Sequence, residues 1–282
     1  MTTIVTPNPL RILRRAAMAT VAAGMALVSA ACSSMNFGEI VAPTPPAIGL
    51  YELRIYTAAP GKAEALDARF RNHTIGLFKK HGMTPIGFWH VATPEGQPKD
   101  DRLFYVMGYK DRAARDASWG AFAQDPEWQT VYRDSQKDGS LTTQGGIQNI
   151  FLNSTDYSPK LNTTSSATPR LWELRTYTAT PGNLENVHNR FRNHTIGIFS
   201  RLGMTNFQYW RPVADQPAMT DKMVYMMAYP TSAARTTMWQ AFSKDAEWIK
   251  VRTESEKDGP LLATPGGVVS VLLTPTDYSP LK

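Results

Sequence analysis

The sequence predicts an α+β protein made of two tandem ferredoxin-like domains that pack together as a pair within one chain. The first observation is an internal repeat, because the eight residues RFRNHTIG occur at 69–76 and again, unchanged, at 190–197. The second is the order of strand-like and helix-like segments in each repeat, which reads β-α-β-β-α-α-β. A sheet of this kind carries helices on one face only, so the open faces of the two repeats can cover each other.

A constant shift aligns the two halves of the chain. The two copies of RFRNHTIG are offset by 121 residues. The same offset aligns YELRIYTAAPGK (51–62) with WELRTYTATPGN (172–183). After a one-residue slip in a loop, DRLFYVMGY aligns with DKMVYMMAY, SQKDG aligns with SEKDG, and TDYSP closes both halves. Each repeat has the size of one domain, so the chain is a duplication.

The repeat sets the domain boundaries. We predict one domain at 49–159, called copy one, and a second at 170–282, called copy two, with a polar linker at 160–169. Ahead of copy one, we predict a leader at 1–31 and a Ser/Pro-rich tether at 32–48.

The first strand and helix of copy one follow from YELRIYT and the residues after it. Tyr51 and Leu53 alternate with polar residues, which is the pattern of a half-buried strand. The Pro-Gly pair at 60–61 ends this strand and opens a helix that we predict to run to about Lys80. Gly82 then ends the helix as a C-terminal cap glycine.

The rest of copy one predicts two strands, two helices and a closing strand. IGFWHV and RLFYVMGY are the strands, and RAARDASWGAFAQ is the next helix. DPEW starts another helix, with Asp125 as its N-cap and Pro126 as its first residue. GGIQNIFL is the last strand.

These motifs, in this order and twice, resemble the NIPSNAP family. They are YELRIYT followed by PGK, a helix that ends in HGM, then GFW, an apolar strand that ends in GY, and DPEW. The resemblance covers 49–159 and 170–281 and implies a dimeric α+β barrel, with the two copies forming one pseudo-dimeric barrel within the chain. It implies no particular reaction, because proteins of this fold include monooxygenases, isomerases and chlorite dismutases.

The repeated motif places a histidine in the first helix of each copy. Phe70, His73 and Leu77 follow a 3-4 spacing, so we predict that His73, and likewise His194 in copy two, faces the sheet. The flanking Arg71 is then expected at solvent or at an edge between the copies. The histidines have two interpretations: core residues that hydrogen-bond a strand, or catalytic acids, bases or haem ligands at the wall of a pocket.

The first strand of each copy also has a polar face. One interpretation is a network of glutamate and arginine that fixes how the two copies dock. The other is a ligand cavity in which the arginines clamp an anionic group and the tyrosines donate hydrogen bonds. The candidate ligand-binding residues are Glu52, Arg54 and Tyr56 in copy one and Glu173, Arg175 and Tyr177 in copy two.

The sequence contains no metal-binding pattern. Neither C-x-x-C nor H-x-x-x-H spacing is present, and of the five histidines only His73 and His194 correspond between the copies. We therefore predict no metal site and no cofactor. Haem bound through one neutral imidazole from each copy is the alternative, and no haem motif accompanies it.

The leader is typical of an exported protein. Arg11, Arg14 and Arg15 precede an apolar run from 16 to 31, which is too short for a permanent membrane span. The run ends in VSAAC, which resembles a bacterial lipoprotein box with Cys32 as the lipidated residue, although Ser stands where Leu is usual. The alternative is a plain signal peptide. We predict a periplasmic protein or a lipoprotein anchored to the outer membrane through Cys32.

The charge of the chain excludes a nucleic-acid partner. The chain has 30 basic and 24 acidic residues, a net charge of +6, and removing the three leader arginines leaves 27 against 24. These charges are scattered along the sequence and do not form a basic patch.

The combined prediction is an exported protein that binds a small organic ligand, neutral or anionic, at a helix–sheet or inter-domain cavity. The first alternative is an enzyme, a cofactor-free monooxygenase or isomerase that uses His73 or His194. The second is a non-catalytic scaffold of the cell envelope. A homo-oligomer is compatible with each of these functions.

Overall fold

The computed structural model describes residues 47–282. The predicted leader, Cys32 and the tether up to residue 46 lie outside the described residues. Among residues 47–282, no helix combines the length and the apolar character needed to cross a membrane.

Both copies follow the predicted order of elements. Copy one contains β1 (Leu50–Ala58), α1 (Ala63–Arg69), a π-helical turn (Phe70–Thr74), α2 (Ile75–Lys80), β2 (Thr84–Val91), β3 (Arg102–Tyr109), α3 (Arg112–Gln124), α4 (Pro126–Ser135) and β4 (Thr142–Ser154). Copy two contains β5 (Leu171–Thr178), α5 (Leu184–Arg190), a π-helical turn (Phe191–Thr195), α6 (Ile196–Arg201), β6 (Thr205–Pro212), β7 (Lys222–Tyr229), α7 (Ser232–Lys244), α8 (Ala246–Ser255) and β8 (Val268–Pro275).

The eight strands form one closed barrel in the order β1-β3-β2-β8-β5-β7-β6-β4. Every neighbouring pair is antiparallel. Each copy contributes four adjacent strands, and the barrel closes where β2 pairs with β8 and β4 pairs with β6. The edge strands of each half are therefore paired with the other half, which leaves no open sheet edge. The predicted pseudo-dimeric barrel is confirmed.

The two faces of the strands bury different cores. Tyr51 and Leu53 point into the barrel, where Trp89, Trp172 and Trp210 from both copies pack together. The alternate residues point outward beneath the helices, and each copy has its own helix–sheet core there. The barrel interior thus joins the copies, whereas the buried residues of each helix–sheet core come from one copy, with Tyr278 or Tyr157 of the opposite copy packed against them.

The ends of the helices agree with the sequence. Gly82 has a φ of 74°, a backbone conformation in which glycine avoids the strain of a side chain. The Asp125 carboxylate accepts a hydrogen bond of 2.8 Å from the Glu127 N–H, and Pro126 is the first residue of α4. Asp245 caps α8 in the same way in copy two.

The prediction that His73 and His194 face the sheet is wrong. The motif forms a π-helical turn in both copies, and this wider turn shifts the inward positions by one residue. Thr74 and Thr195 are buried instead, and the Thr74 hydroxyl donates to the Arg69 carbonyl at 3.1 Å. His73 is exposed, and His194 lies at the surface with Nδ1 3.6 Å from a Glu247 carboxylate oxygen.

The two TDYSP segments link the copies reciprocally, and we call them the clasps. Arg71 of copy one makes a two-bond ion pair with Asp277 of copy two, at 2.6 and 2.8 Å. Arg192 of copy two pairs with Asp156 of copy one at 2.7 and 2.8 Å. Arg71 therefore lies at the edge between the copies, as predicted, and a bidentate pair of this kind fixes orientation.

Candidate functional site

The polar face of β1 lies beneath the helices of its own copy. Glu52 is fully buried, and its carboxylate accepts hydrogen bonds from Arg54 at 2.6 Å and from Arg115 at 2.7 and 3.0 Å. Tyr109 and Trp119 donate to it at 3.1 and 3.3 Å. Because every partner belongs to copy one, the hypothesis that this network docks the two copies is wrong. It holds α3 on the sheet.

Copy two repeats the network around Glu173. Arg235 donates two bonds of 2.7 and 2.8 Å, Arg175 one of 2.5 Å, and Ser270 another of 2.5 Å. Burial alone would raise the pKa of Glu173, but Arg235 and Arg175 outweigh it and hold that pKa at about 2. The carboxylate is thus ionised and saturated with donors, which suits a structural role.

The predicted arginine clamps are occupied. Arg54 donates to Glu52, to the Tyr105 hydroxyl at 2.8 Å and to the Tyr56 hydroxyl at 3.1 Å, and it lies 4.3 Å from the centre of the Trp119 ring. In copy two Arg175 donates to Glu173 and, at 3.4 Å, to the Tyr177 hydroxyl, while its Nε has no partner among residues 47–282. These guanidinium groups serve the network, which leaves them unsuited to clamp a ligand.

A cavity of about 90 Å³ lies between the helices and the sheet of copy one. Of the predicted ligand-binding residues of this copy, Tyr56 lines it, while Glu52 and Arg54 lie behind Tyr56 in the network. Aromatic residues make up most of the lining, and the remaining lining residues are mainly polar. The lining includes Tyr56, Arg69, Phe70, Trp119, Trp128 and Gln136.

Arg69, the first residue of the repeated motif, brings a buried positive charge to this cavity. Its side chain makes one hydrogen bond within residues 47–282, from Nη1 to Ser135 Oγ at 3.3 Å. The guanidinium lies 5.4 Å from the Trp128 ring centre and 5.8 Å from that of Tyr132, and its Nε is buried without a partner. Burial lowers the pKa of Arg69. No carboxylate of the described residues balances this charge, which is unusual for a buried arginine.

Sequence reasoning missed Arg69. The sequence did contain a signal, because Arg69 lies three residues after the buried Leu66 on the helix, and the same spacing separates Val187 from Arg190. A basic residue on an apolar helix face in both copies indicates a buried charge that needs a partner.

The cavity of copy two is larger, about 250 Å³, and its charge is balanced. Arg190 takes the place of Arg69, and its Nη1 donates to Ser255 Oγ at 3.3 Å and to Glu256 Oε1 at 2.8 Å. Arg252 donates to the other oxygen of Glu256 at 3.1 Å. Tyr177 lines this cavity as Tyr56 lines the first.

The histidines lie away from both cavities. His73 is exposed, and His194 borders an open surface groove between α5 and α8. A buried haem ligated by these imidazoles therefore does not fit the structure. Among residues 47–282, no group of three or more His, Cys, Asp and Glu side chains is arranged to hold a metal ion.

The architecture defines the class of the protein. Two four-stranded half-barrels, each with helices on its outer face, close into one barrel, and this is the dimeric α+β barrel with both halves on a single chain. The chain belongs to the NIPSNAP family, because the NIPSNAP family model matches residues 51–159 and again residues 172–280.

Solved structures share this fold at low identity. A proposed monooxygenase of Lactobacillus acidophilus NCFM superposes with a TM-score of 0.52 at 11% identity, over 81% of this chain and 94% of its own. An anthrone oxidase-like protein gives a TM-score of 0.50 at 9% identity, over 82% and 92%. An uncharacterized NIPSNAP-like domain protein of Burkholderia xenovorans gives 0.34 at 24% identity, over 40% and 90%. No curated protein matches the chain. The first two structures, at 11% and 9% identity, show likeness of the fold alone.

Proposed function

We propose that the helix–sheet cavity of copy one binds a small organic anion and that Arg69 pairs with its charged group. The observation that carries this proposal is a buried guanidinium without a carboxylate partner, at the wall of an aromatic cavity. A ligand anion would supply the missing charge in a setting where charge-assisted hydrogen bonds are strong.

The cavity limits the ligand's size and shape. About 150 Å³ accommodates benzene in an engineered apolar cavity, whereas this cavity measures about 90 Å³. A short carboxylic acid with an apolar tail of a few carbons therefore fits best. Its tail would contact Phe70 and Trp119, and its carboxylate would lie at Arg69 near Gln136.

The observations favour binding over catalysis. The solved structures named as oxygenases share only the fold with this chain. His73 is exposed and His194 borders a surface groove, so neither lies at a helix–sheet cavity, and the catalytic role proposed for them has no support from the copy-one cavity. Tyr56 lines the cavity, and its hydroxyl accepts a hydrogen bond from Arg54, so it is positioned to orient a ligand.

A matched pair of probes tests the proposal. Isobutyrate and isobutyramide have the same shape and differ in charge, so isothermal titration calorimetry with both measures the contribution of the anion. We expect isobutyrate to bind more tightly, and Arg69→Met to weaken its binding about 10- to 100-fold because a bond to a charged group is lost. Arg190→Met is the control and should leave isobutyrate affinity unchanged. Equal affinities for the two probes would reject the proposal.

We propose in addition that the chain is exported and lipidated at Cys32. The support is the arginine-rich start, the apolar run to residue 31 and the cysteine that follows it. Palmitate labelling of the wild type and of Cys32→Ala in a bacterial host tests this proposal. Label on the wild type alone is expected, and an unlabelled wild type would contradict lipidation.

A further inference from the structure

The arginines of the two cavities have similar surroundings that differ at two positions. Arg69 Nη1 donates to Ser135 Oγ at 3.3 Å, and Arg190 Nη1 donates to Ser255 Oγ at the same distance. Each guanidinium lies beside a tryptophan of the last helix of its copy, 5.4 Å from the ring centre of Trp128 on α4 and 5.2 Å from that of Trp248 on α8. The two guanidinium groups are therefore held in equivalent positions.

One difference is Tyr132 beside Arg69, which corresponds to Arg252 in copy two, and the other is the residue after the serine. SQKDG in copy one supplies Gln136, and SEKDG in copy two supplies Glu256. The Glu256 carboxylate receives Arg190 at 2.8 Å, whereas Gln136 makes no side-chain hydrogen bond to Arg69. Both residues line their cavities. The duplication thus offers a comparison of one arginine with and without a resident acid.

We infer that Glu256 occupies in copy two the position that the ligand's anionic group takes in copy one, so that the chain binds one anion, in copy one only. This inference rests on the proposed function of the copy-one cavity. The guanidinium that would receive a ligand carboxylate in copy two already donates to a side chain of the protein itself.

Displacement of Glu256 by a ligand is unfavourable. The carboxylate is held on one oxygen by Arg190 and on the other by Arg252. Its side chain is 21% exposed and that of Arg190 is 3% exposed, so a displaced Glu256 would lose a buried partner. Although the copy-two cavity is the larger one, we expect it to exclude anions because of this pair.

Two single substitutions test whether a carboxylate of the protein decides which cavity binds an anion. Gln136→Glu should place a carboxylate on Arg69 and close the copy-one site to anions. Glu256→Gln should remove the resident acid and open a second site at Arg190. Glutamine and glutamate have nearly the same size, so packing is conserved in both variants.

Equilibrium dialysis with radiolabelled isobutyrate counts the sites directly. We expect about one isobutyrate per chain for the wild type, none for Gln136→Glu and two for Glu256→Gln. Circular dichroism checks that each variant is folded. Because the two substitutions lie in different copies, the Gln136→Glu result tests the inference even if Glu256→Gln does not fold.

The outcomes separate the inference from the proposed function. The proposed function stands if the wild type binds one isobutyrate and Arg69→Met abolishes this binding. In that case the inference alone fails if Gln136→Glu still binds isobutyrate, or if a folded Glu256→Gln gains no second site. If the wild type binds none, or if Arg69→Met leaves binding intact, the proposed function itself fails.

Discussion

The two copies have corresponding glutamate networks and clasps, and they differ in the charges buried beside their cavities. Glu52 and Glu173 each accept from two arginines, a tyrosine and a tryptophan at corresponding positions, with Ser270 as an additional donor to Glu173, and both clasps use the same arginine–aspartate pair. The cavities differ, because Arg69 has no acid partner within residues 47–282 whereas Arg190 has Glu256. The comparison teaches that the fold depends on the network and the clasps, and that charges beside the cavities could change after the duplication.

A second difference lies where each clasp meets a helix. In copy one the buried Asp67 accepts a 2.6 Å hydrogen bond from Tyr278 and lies 2.9 Å from His90 Nε2. In copy two the equivalent residue is His188, which is fully buried with its Nδ1 2.6 Å from the Tyr157 hydroxyl. The tyrosine is present in both copies, whereas its partner is an acid in copy one and an imidazole in copy two. We therefore expect the stability that each clasp contributes to depend differently on pH.

The largest effect is expected where the copies are alike. Glu52→Gln and Glu173→Gln each leave two arginines around a neutral residue, and breaking a buried ion pair in this way costs about 3–5 kcal/mol of the free energy of unfolding. We expect similar losses in the two variants, measured by urea unfolding. The exposed Glu64→Gln serves as the control. A large loss of unfolding free energy in one variant with little loss in the other would show that the two glutamate networks do not stabilise their copies equally.

The next effect separates the clasps. Burial, with a contribution from Arg211, lowers the pKa of His188 from 6.5 to about 4. Between these values the unfolded chain binds a proton that the folded chain does not, so stability is full above pH 6.5 and falls as the pH drops toward 4. The loss should reach about 3 kcal/mol at pH 4 and below. Urea unfolding of the wild type and of His188→Gln across this range measures it as the difference between the two curves.

His188→Gln should abolish this component while other groups still titrate. If the two proteins lose stability in parallel between pH 6.5 and 4, His188 is not the group responsible. In the clasp of copy one, Asp67 stands at the position of His188. We therefore expect this histidine component of the pH dependence to come from the clasp of copy two.

Much of the fold could be predicted from the sequence, because it depends on local and repeating signals. The 121-residue shift, the alternation in β1, Gly82 and the Asp125 cap each appear as predicted. The alternation of a strand defines two faces, but it does not say which face meets the helices. For that reason one of the two interpretations placed the Glu52 network at the interface between the copies, although it lies within one copy.

The cavity residues were harder to predict. A π-helical turn carries no periodic signal of its own, so helical spacing placed His73 inward when Thr74 takes that position. Helical spacing from Leu66 could indicate that Arg69 is buried, but its surroundings require the three-dimensional positions of Ser135 and Gln136, which come from the end of another helix and the loop after it. Gln136 is recognised as a site residue because its counterpart Glu256 pairs with Arg190. This comparison requires the alignment of the two repeats together with the structure.

The smallest effect on stability should distinguish the two cavity arginines. Arg69→Met removes a buried charge without an acid partner and retains an apolar side chain of similar length. We therefore expect the free energy of unfolding to stay within about 1 kcal/mol of the wild type or to rise. Arg190→Met leaves Glu256 with Arg252 as its one remaining guanidinium partner and should lower stability by about 1–3 kcal/mol.

Urea unfolding of the two variants without ligand gives this comparison, and the double variant Arg190→Met/Glu256→Gln is the control. The double variant should recover part of the loss, because the acid is removed together with its partner. Equal losses in Arg69→Met and Arg190→Met would mean that Arg69 has a balancing partner after all. The charge difference between the two cavities would then no longer explain a preference of copy one for anions.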